Sequence, residues 1–162
     1  MTESTDPYLY PGTDVLKNLR DIRDSDILAR FEAEATSRRI VQLIHSPLPC
    51  SFDTEQLKAI HKHIFRDVYA WAGQFRTVNI SKGDHSFAAA AFVEPALNDL
   101  LQKLSAENYL QAVNPKVFAS RAGFFLGEIN AAHPFREGTV ALKENSSESW
   151  GFTPALWLIG AA

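Results

Sequence analysis

The 162-residue chain has one cysteine, no surplus of positive charge and no run of 18 apolar residues. Each lack closes off a class of protein. Cys50 cannot form an internal disulfide, and its setting Leu48-Pro49-Cys50-Ser51 offers no histidine or second cysteine at metal-ligand spacing, which fits a reducing compartment. Met1-Thr2-Glu3-Ser4-Thr5-Asp6 is acidic and polar where a secretory leader would be basic and then apolar. The expectation is a cytoplasmic protein. A formal net charge of −3 with 22% charged residues gives no general pull toward nucleic acid. Internal repeats, low-complexity tracts and heptad runs are also lacking. What remains is 46% hydrophobic content in a length suited to one domain, enough to bury roughly two thirds of the unfolded surface.

The hydrophobic spacing predicts an all-α protein with one strand-like interruption. Tyr8-Leu9-Tyr10-Pro11-Gly12 is a turn-rich lead-in, after which Asp14 is expected to cap a short helix through Leu19. Ser25 or Asp26 would cap a long helix carrying Ile27, Leu28, Phe31, Ala35, Ile40, Leu43 and Ile44, stopped by Pro47 and Pro49. Asp53 would cap a second, with Leu57, Ile60, Ile64 and Phe65 at helical spacing up to Tyr69-Ala70-Trp71-Ala72-Gly73. Arg76-Thr77-Val78-Asn79-Ile80-Ser81 then alternates with period two, and Lys82-Gly83-Asp84-His85 is a loop before Ser86-Phe87, which reads as a hairpin. Two more helices follow, Phe92 to Leu104 and Val117 to Ile129, the second opening near Asn114-Pro115. Phe65, Trp71, Phe124 and Phe125 are expected in the core.

The last of these helices delivers the chain to His133-Pro134-Phe135-Arg136-Glu137-Gly138, where a histidine and a carboxylate stand four residues apart on a short turn. Histidine titrates closest to physiological pH, so it is the default base for taking a proton from a hydroxyl. A nearby carboxylate can hold magnesium, which usually bridges to substrate phosphates. A helix N-terminus expected after the turn would favour anions. Outside this turn, Glu137 would be an ordinary surface charge. His45, His61, His63 and His85 have no ligand partners at useful spacing, and no metal is assigned to them.

These six residues resemble the first half of the Fic motif, His-x-Phe-x-Asp/Glu-Gly-Asn-Gly-Arg-x-x-Arg. Three upstream segments resemble the same family in the expected order: Tyr10 to Asn18, then Tyr69-Ala70-Trp71-Ala72-Gly73-Gln74-Phe75-Arg76, then Val78 to Gly83 with Phe87-Ala88. The resemblance implies a helical Fic fold with a small β-hairpin flap, a domain over residues 1–138, and transfer of AMP from ATP to a Ser, Thr or Tyr hydroxyl of a target protein, using Mg2+. His133 would be the base, Glu137 the metal ligand, and Gly138 the start of the anion hole. Phe135 would anchor the turn. The flap would pair with an extended target segment, and Lys82 and Gly83 would lie near the nucleotide.

The motif breaks off after Gly138, where Thr139-Val140-Ala141-Leu142-Lys143-Glu144 replaces the Asn, second Gly and both Arg that carry phosphate contacts. Each such donor is worth roughly 2.7–4 kcal/mol in a transfer reaction, so the chain is expected to be inactive or strongly impaired. One adenine inserted after the Gly138 codon, with permitted synonymous codons, turns Thr-Val-Ala-Leu-Lys-Glu-Asn-Ser-Ser into Asn-Gly-Arg-Thr-Gln-Arg-Glu-Phe-Ile. Residues 139–162 are therefore expected to be an out-of-frame tail. The Fic family's inhibitory pattern Ser/Thr-x-x-x-Glu-Gly/Asn does not occur, which implies a small antitoxin-like protein supplying that glutamate in trans. The alternative is a noncatalytic binding module that uses the flap hairpin.

Overall fold

The computed structural model describes residues 6–82 and 85–137; Gly83, Gly138 and the tail from 139 lie outside them. Among the described residues, four helices form the body: α1 (Ser25–His45), α2 (Thr54–Phe65), α3 (Ala90–Ala106) and α4 (Pro115–Ala132). A 3-10 turn at Asn108–Leu110 joins the last two. No helix among these residues is long and apolar enough to cross a membrane.

Local chemistry sets the helix starts. Asp53 caps α2 by accepting from the Gln56 N–H at 2.8 Å, and Asn114 caps α4 by accepting from Val117 N–H at 3.0 Å, with Pro115 at the first helical position. The α1 cap is Asp24, one residue before the expected Ser25 or Asp26, because its carboxylate reaches the N–H groups of Asp26 and Ile27 at 3.0 and 2.9 Å. Helix α3 has no cap of its own; Asn79, eleven residues upstream, accepts from the Ala90 N–H at 2.8 Å.

The core is a continuous cluster built from one face of each helix: Leu28 and Leu43 of α1, Leu57, Ile60, Ile64 and Phe65 of α2, Val93, Leu97 and Leu104 of α3, and Phe125 and Ile129 of α4. Three expectations fail here. The stretch from Asp14 to Leu19 is not helical: Leu16 bridges Leu9, the Lys17 N–H donates to the Tyr8 carbonyl at 2.8 Å and the Leu19 N–H to the Val68 carbonyl at 2.8 Å, so its backbone bonds are made outside the segment. Ile27 and Ile44 stand exposed on α1, as does Phe124 on α4, where it packs against the Arg121 guanidinium at 4.6 Å. Each lies off the stripe that its helix turns inward.

Between α2 and α3 the only regular pairing among the described residues is short: β1 (Ser81–Lys82) runs antiparallel to β2 (His85–Ser86), Ser81 opposite Ser86 and Lys82 opposite His85. The alternating residues from Arg76 to Ile80 are not a strand: the Arg76 N–H donates to the Pro134 carbonyl at 2.9 Å, and the Val78 carbonyl accepts from the Arg76 guanidinium.

Candidate active site

Helix α4 ends on His133, whose φ of 42° and ψ of 67° place it in the left-handed region that stops a helix. Its N–H still reaches back to the Ile129 and Asn130 carbonyls at 3.1 and 3.2 Å, so the turn is tied to the helix it leaves. A non-glycine residue in this conformation is uncommon, histidine less so than most, and such strain clusters at functional sites. The imidazole, half-buried, stacks on Phe87 with centroids 4.4 Å apart, which brings it beside the residues that follow β2.

Phe135 turns the other way, into the core, at 6% exposure. Its ring stacks on His61 at 3.8 Å, and His61 in turn stacks on Phe65 at 4.6 Å. His61 is fully buried, and burial lowers its pKa to about 3, so it is neutral. The Gly73 N–H donates to Nδ1 at 2.9 Å, which puts the ring proton on Nε2, and that N–H faces the Glu137 carbonyl oxygen at 3.3 Å. A neutral imidazole thus braces the end of the motif against α2. Gly73 is required for this: at φ +83° a Cβ would sit 2.7 Å from Lys62 Cβ and 2.8 Å from the Lys58 carbonyl oxygen.

Glu137 is not a surface charge; it is 7% exposed. Oε2 accepts from the Trp71 indole N–H at 2.5 Å. Oε1 lies 3.4 Å from the neutral His61 Nε2, whose proton is committed to the Glu137 backbone, and has no hydrogen-bond partner among the described residues. Burial pushes the Glu137 pKa up to about 7, with the Trp71 N–H opposing and Glu32 adding to the rise. Glu32 is itself raised by burial and accepts from the Tyr69 hydroxyl, whose ring stacks on Trp71 at 5.0 Å. Arg136 forms a part-buried ion pair with Asp6 at 2.9 Å.

To a divalent cation this carboxylate would offer one donor, Oε1. No group of three or more His, Cys, Asp or Glu side chains that could cage a metal occurs among the described residues. Glu137 nevertheless keeps one oxygen uncommitted and a proton only loosely held near neutrality. Magnesium is commonly held by one or two carboxylates together with substrate phosphates.

Of the residues singled out from sequence, the structure brings His133, Phe135 and Glu137 together on one turn. The Lys82 backbone pairs with His85 at the hairpin, while Gly83 and Gly138 fall outside the described residues. Sequence reasoning missed three supports. Trp71 was expected only as core filling. His61 had a readable signal, since its spacing from Leu57, Ile64 and Phe65 puts it on the apolar face of α2. Arg76 closes a segment that carries the resemblance, but in an alternating run it reads as an outward charge, yet it is 2% exposed and meets four backbone carbonyls.

A family model described as Fic/DOC matches residues 51–140. The chain is 40% identical over 135 residues to the protein adenylyltransferase VbhT of Bartonella schoenbuchensis, covering 83% of this chain and only 28% of that one. It is 37% identical over 137 residues to the probable protein adenylyltransferase Fic of Escherichia coli K12, covering 85% of this chain and 68% of that protein. The crystal structure of BepC, a VirB-translocated effector of Bartonella tribocorum with bound AMPPNP, superposes with a TM-score of 0.83 at 25% identity, covering 96% of this chain and 76% of that one. With a histidine-led turn closing α4, a helical fold shared with that effector and a family model spanning residues 51–140 of 162, this chain belongs to the Fic/DOC family.

Proposed function

We propose that the chain has the architecture of a protein adenylyltransferase and is inactive or strongly impaired as it stands. One observation carries this reading: α4 presents His133 in a left-handed turn, four residues before a buried carboxylate with an uncommitted oxygen. The relatives named adenylyltransferases support it. In the reaction, the target's Ser, Thr or Tyr oxygen bonds to the α-phosphorus of ATP, the bond to the bridging oxygen of the β-phosphate breaks, and pyrophosphate leaves. His133 takes the hydroxyl proton. Glu137 and the nucleotide's phosphate oxygens would hold Mg2+, which when bound neutralises phosphate charge. Gly138 would open the anion hole, and Lys82 and Gly83 would lie beside the nucleotide.

The hairpin at Ser81–Ser86 is the proposed flap, on which a target segment docks by backbone hydrogen bonds. The Asn-Gly-Arg-x-x-Arg half of the motif is missing from the sequence, so preorganised donors for the transferring phosphate are too few. We assign residues 1–138 to the Fic domain and 139–162 to an out-of-frame tail. The proposed setting is bacterial cytoplasm, with a separate antitoxin-like protein as restraint; export is the setting of the effector relatives. The missing half-motif also favours a second reading, a noncatalytic module that binds a partner through the hairpin. Capture of one defined protein by both the parent and His133→Ala, with no labelling in any frame, would select it.

The test is direct. The chain with labelled ATP, Mg2+ and a bacterial lysate should give little label, and a form with the single-base frame repair should label a protein, a gain that His133→Ala abolishes. A repaired form that melts cooperatively yet neither binds nucleotide nor labels any polypeptide overturns the proposal. Sequencing the DNA around the Gly138 codon tests the tail separately: a shifted frame without Asn-Gly-Arg removes that part.

A further inference from the structure

Arg76 is a buried cation with no carboxylate partner among the described residues. Its guanidinium donates to four carbonyls: His133 through Nε at 2.8 Å, Val78 at 2.8 Å, Ala132 at 3.2 Å, and Ala88. Its backbone N–H donates to the Pro134 carbonyl at 2.9 Å. Burial holds its pKa below the usual arginine value. Desolvating a charge without a counterion is costly, so this residue must return something.

Capping the end of α4 explains half of the contacts. A cation at a helix C-terminus satisfies orphan carbonyls and complements the dipole, which accounts for Ala132 and His133. It does not account for Val78 and Ala88, which flank the β1–β2 hairpin on either side. Arginine presents its donors in a rigid planar fork, so the carbonyls it bonds are fixed in mutual angle as well as distance. Beside Ala88, Phe87 carries the His133 ring on its face and donates its N–H to the Ile80 carbonyl at 3.3 Å. Asn79, next to Val78, is tied to the start of α3.

We propose that Arg76 is a positioning residue that clamps both stems of the hairpin to the backbone of His133. The hairpin edge and the imidazole then form one rigid frame, and a target strand laid on that edge arrives in register with the base. This rests on the docking role proposed for the hairpin, but its test uses neither ATP nor a target, so the two readings fail separately.

The test uses the whole chain and nuclear magnetic resonance. In Arg76→Lys, which keeps the cation and loses the fork, and in Arg76→Gln, the His133 ring protons should shift as stacking on Phe87 loosens. Exchange of the Phe87 amide should speed up at least tenfold. Ile64→Val, a core change away from the hairpin, should move neither. Unchanged signals in either folded Arg76 variant, or the same changes in Ile64→Val, overturn the proposal. Native-state exchange of the parent decides the case where both variants unfold: the amides of Arg76, Phe87 and His133 should open together with protection within about threefold. Phe87 exchanging a hundredfold faster than His133 would refute the clamp.

Discussion

The Trp71 indole N–H donates to Glu137 Oε2 across 66 residues of chain, and it is the one side-chain hydrogen bond found for that buried carboxyl among the described residues. It joins the Trp71-Ala72-Gly73 turn to the end of the histidine motif, alongside the His61 bridge between the same two segments.

Replacing Trp71 by Phe keeps an aromatic ring, though a smaller one, and removes the donor. Both Glu137 oxygens are then buried without partners, a loss of about 1–3 kcal/mol. The Trp71 N–H holds the Glu137 pKa down, so the loss should be larger at pH 8, where the group is charged, than at pH 5. Urea unfolding at the two pH values checks this, and equal losses would show that the hydrogen bond does not discriminate the charged form.

Glu137 and His61 oppose one another in pH dependence. Glu137 rises from 4.5 to about 7 on folding, so the folded state keeps a proton that the unfolded chain releases, and stability falls as pH climbs through that window. His61 drops from 6.5 to about 3, so the unfolded chain takes up a proton that the folded state refuses, and stability falls as pH descends from 6.5. Their slopes cancel between 4.5 and 6.5. Glu137→Gln should remove the Glu137 limb: between pH 4.5 and about 7 its stability profile should gain up to roughly 1.4 kcal/mol per pH unit of upward slope over the parent. A slope unchanged from the parent would mean that Glu137 does not titrate on unfolding in that window.

Gly73→Ala should be severe for its size. The left-handed conformation alone costs about 1–2 kcal/mol, and overlap with Lys62 Cβ and the Lys58 carbonyl adds to it. The expected total exceeds about 2 kcal/mol by chemical denaturation, together with loss of the protection that His61 Nδ1 gives the residue-73 amide. A loss under about 0.5 kcal/mol would show that the turn relaxes freely.

Asn79→Ala should cost about 1 kcal/mol by removing the only side-chain acceptor found at the start of α3 among the described residues. Faster exchange of the Ala90 amide in the variant marks the lost cap, and an unchanged amide would assign that role to another group.

Much of the helical framework was legible because its causes are local. Asp53 and Asn114-Pro115 signal helix starts through nearby N–H groups, and the spacing of Leu57, Ile60, Ile64 and Phe65 announces a buried face. The short helix expected from Asp14 failed for the opposite reason: Val68, some fifty residues away, supplies the carbonyl to which the Leu19 N–H donates. The alternation from Arg76 to Ser81 misled in the same way, since a period of two cannot reveal that Arg76 points inward to carbonyls contributed by α4.

The sequence by itself determined the helices, the turn that carries His133 and Glu137, and the break in the motif after Gly138, because spacing, capping and residue identity are properties of neighbours along the chain. Tertiary structure alone decided that Glu137 is buried against Trp71, that His61 is a neutral brace, and that Arg76 joins the hairpin stems to α4. Burial and hydrogen-bond partners are set by segments far apart in sequence, and the pKa shifts of His61 and Glu137 follow from that enclosure.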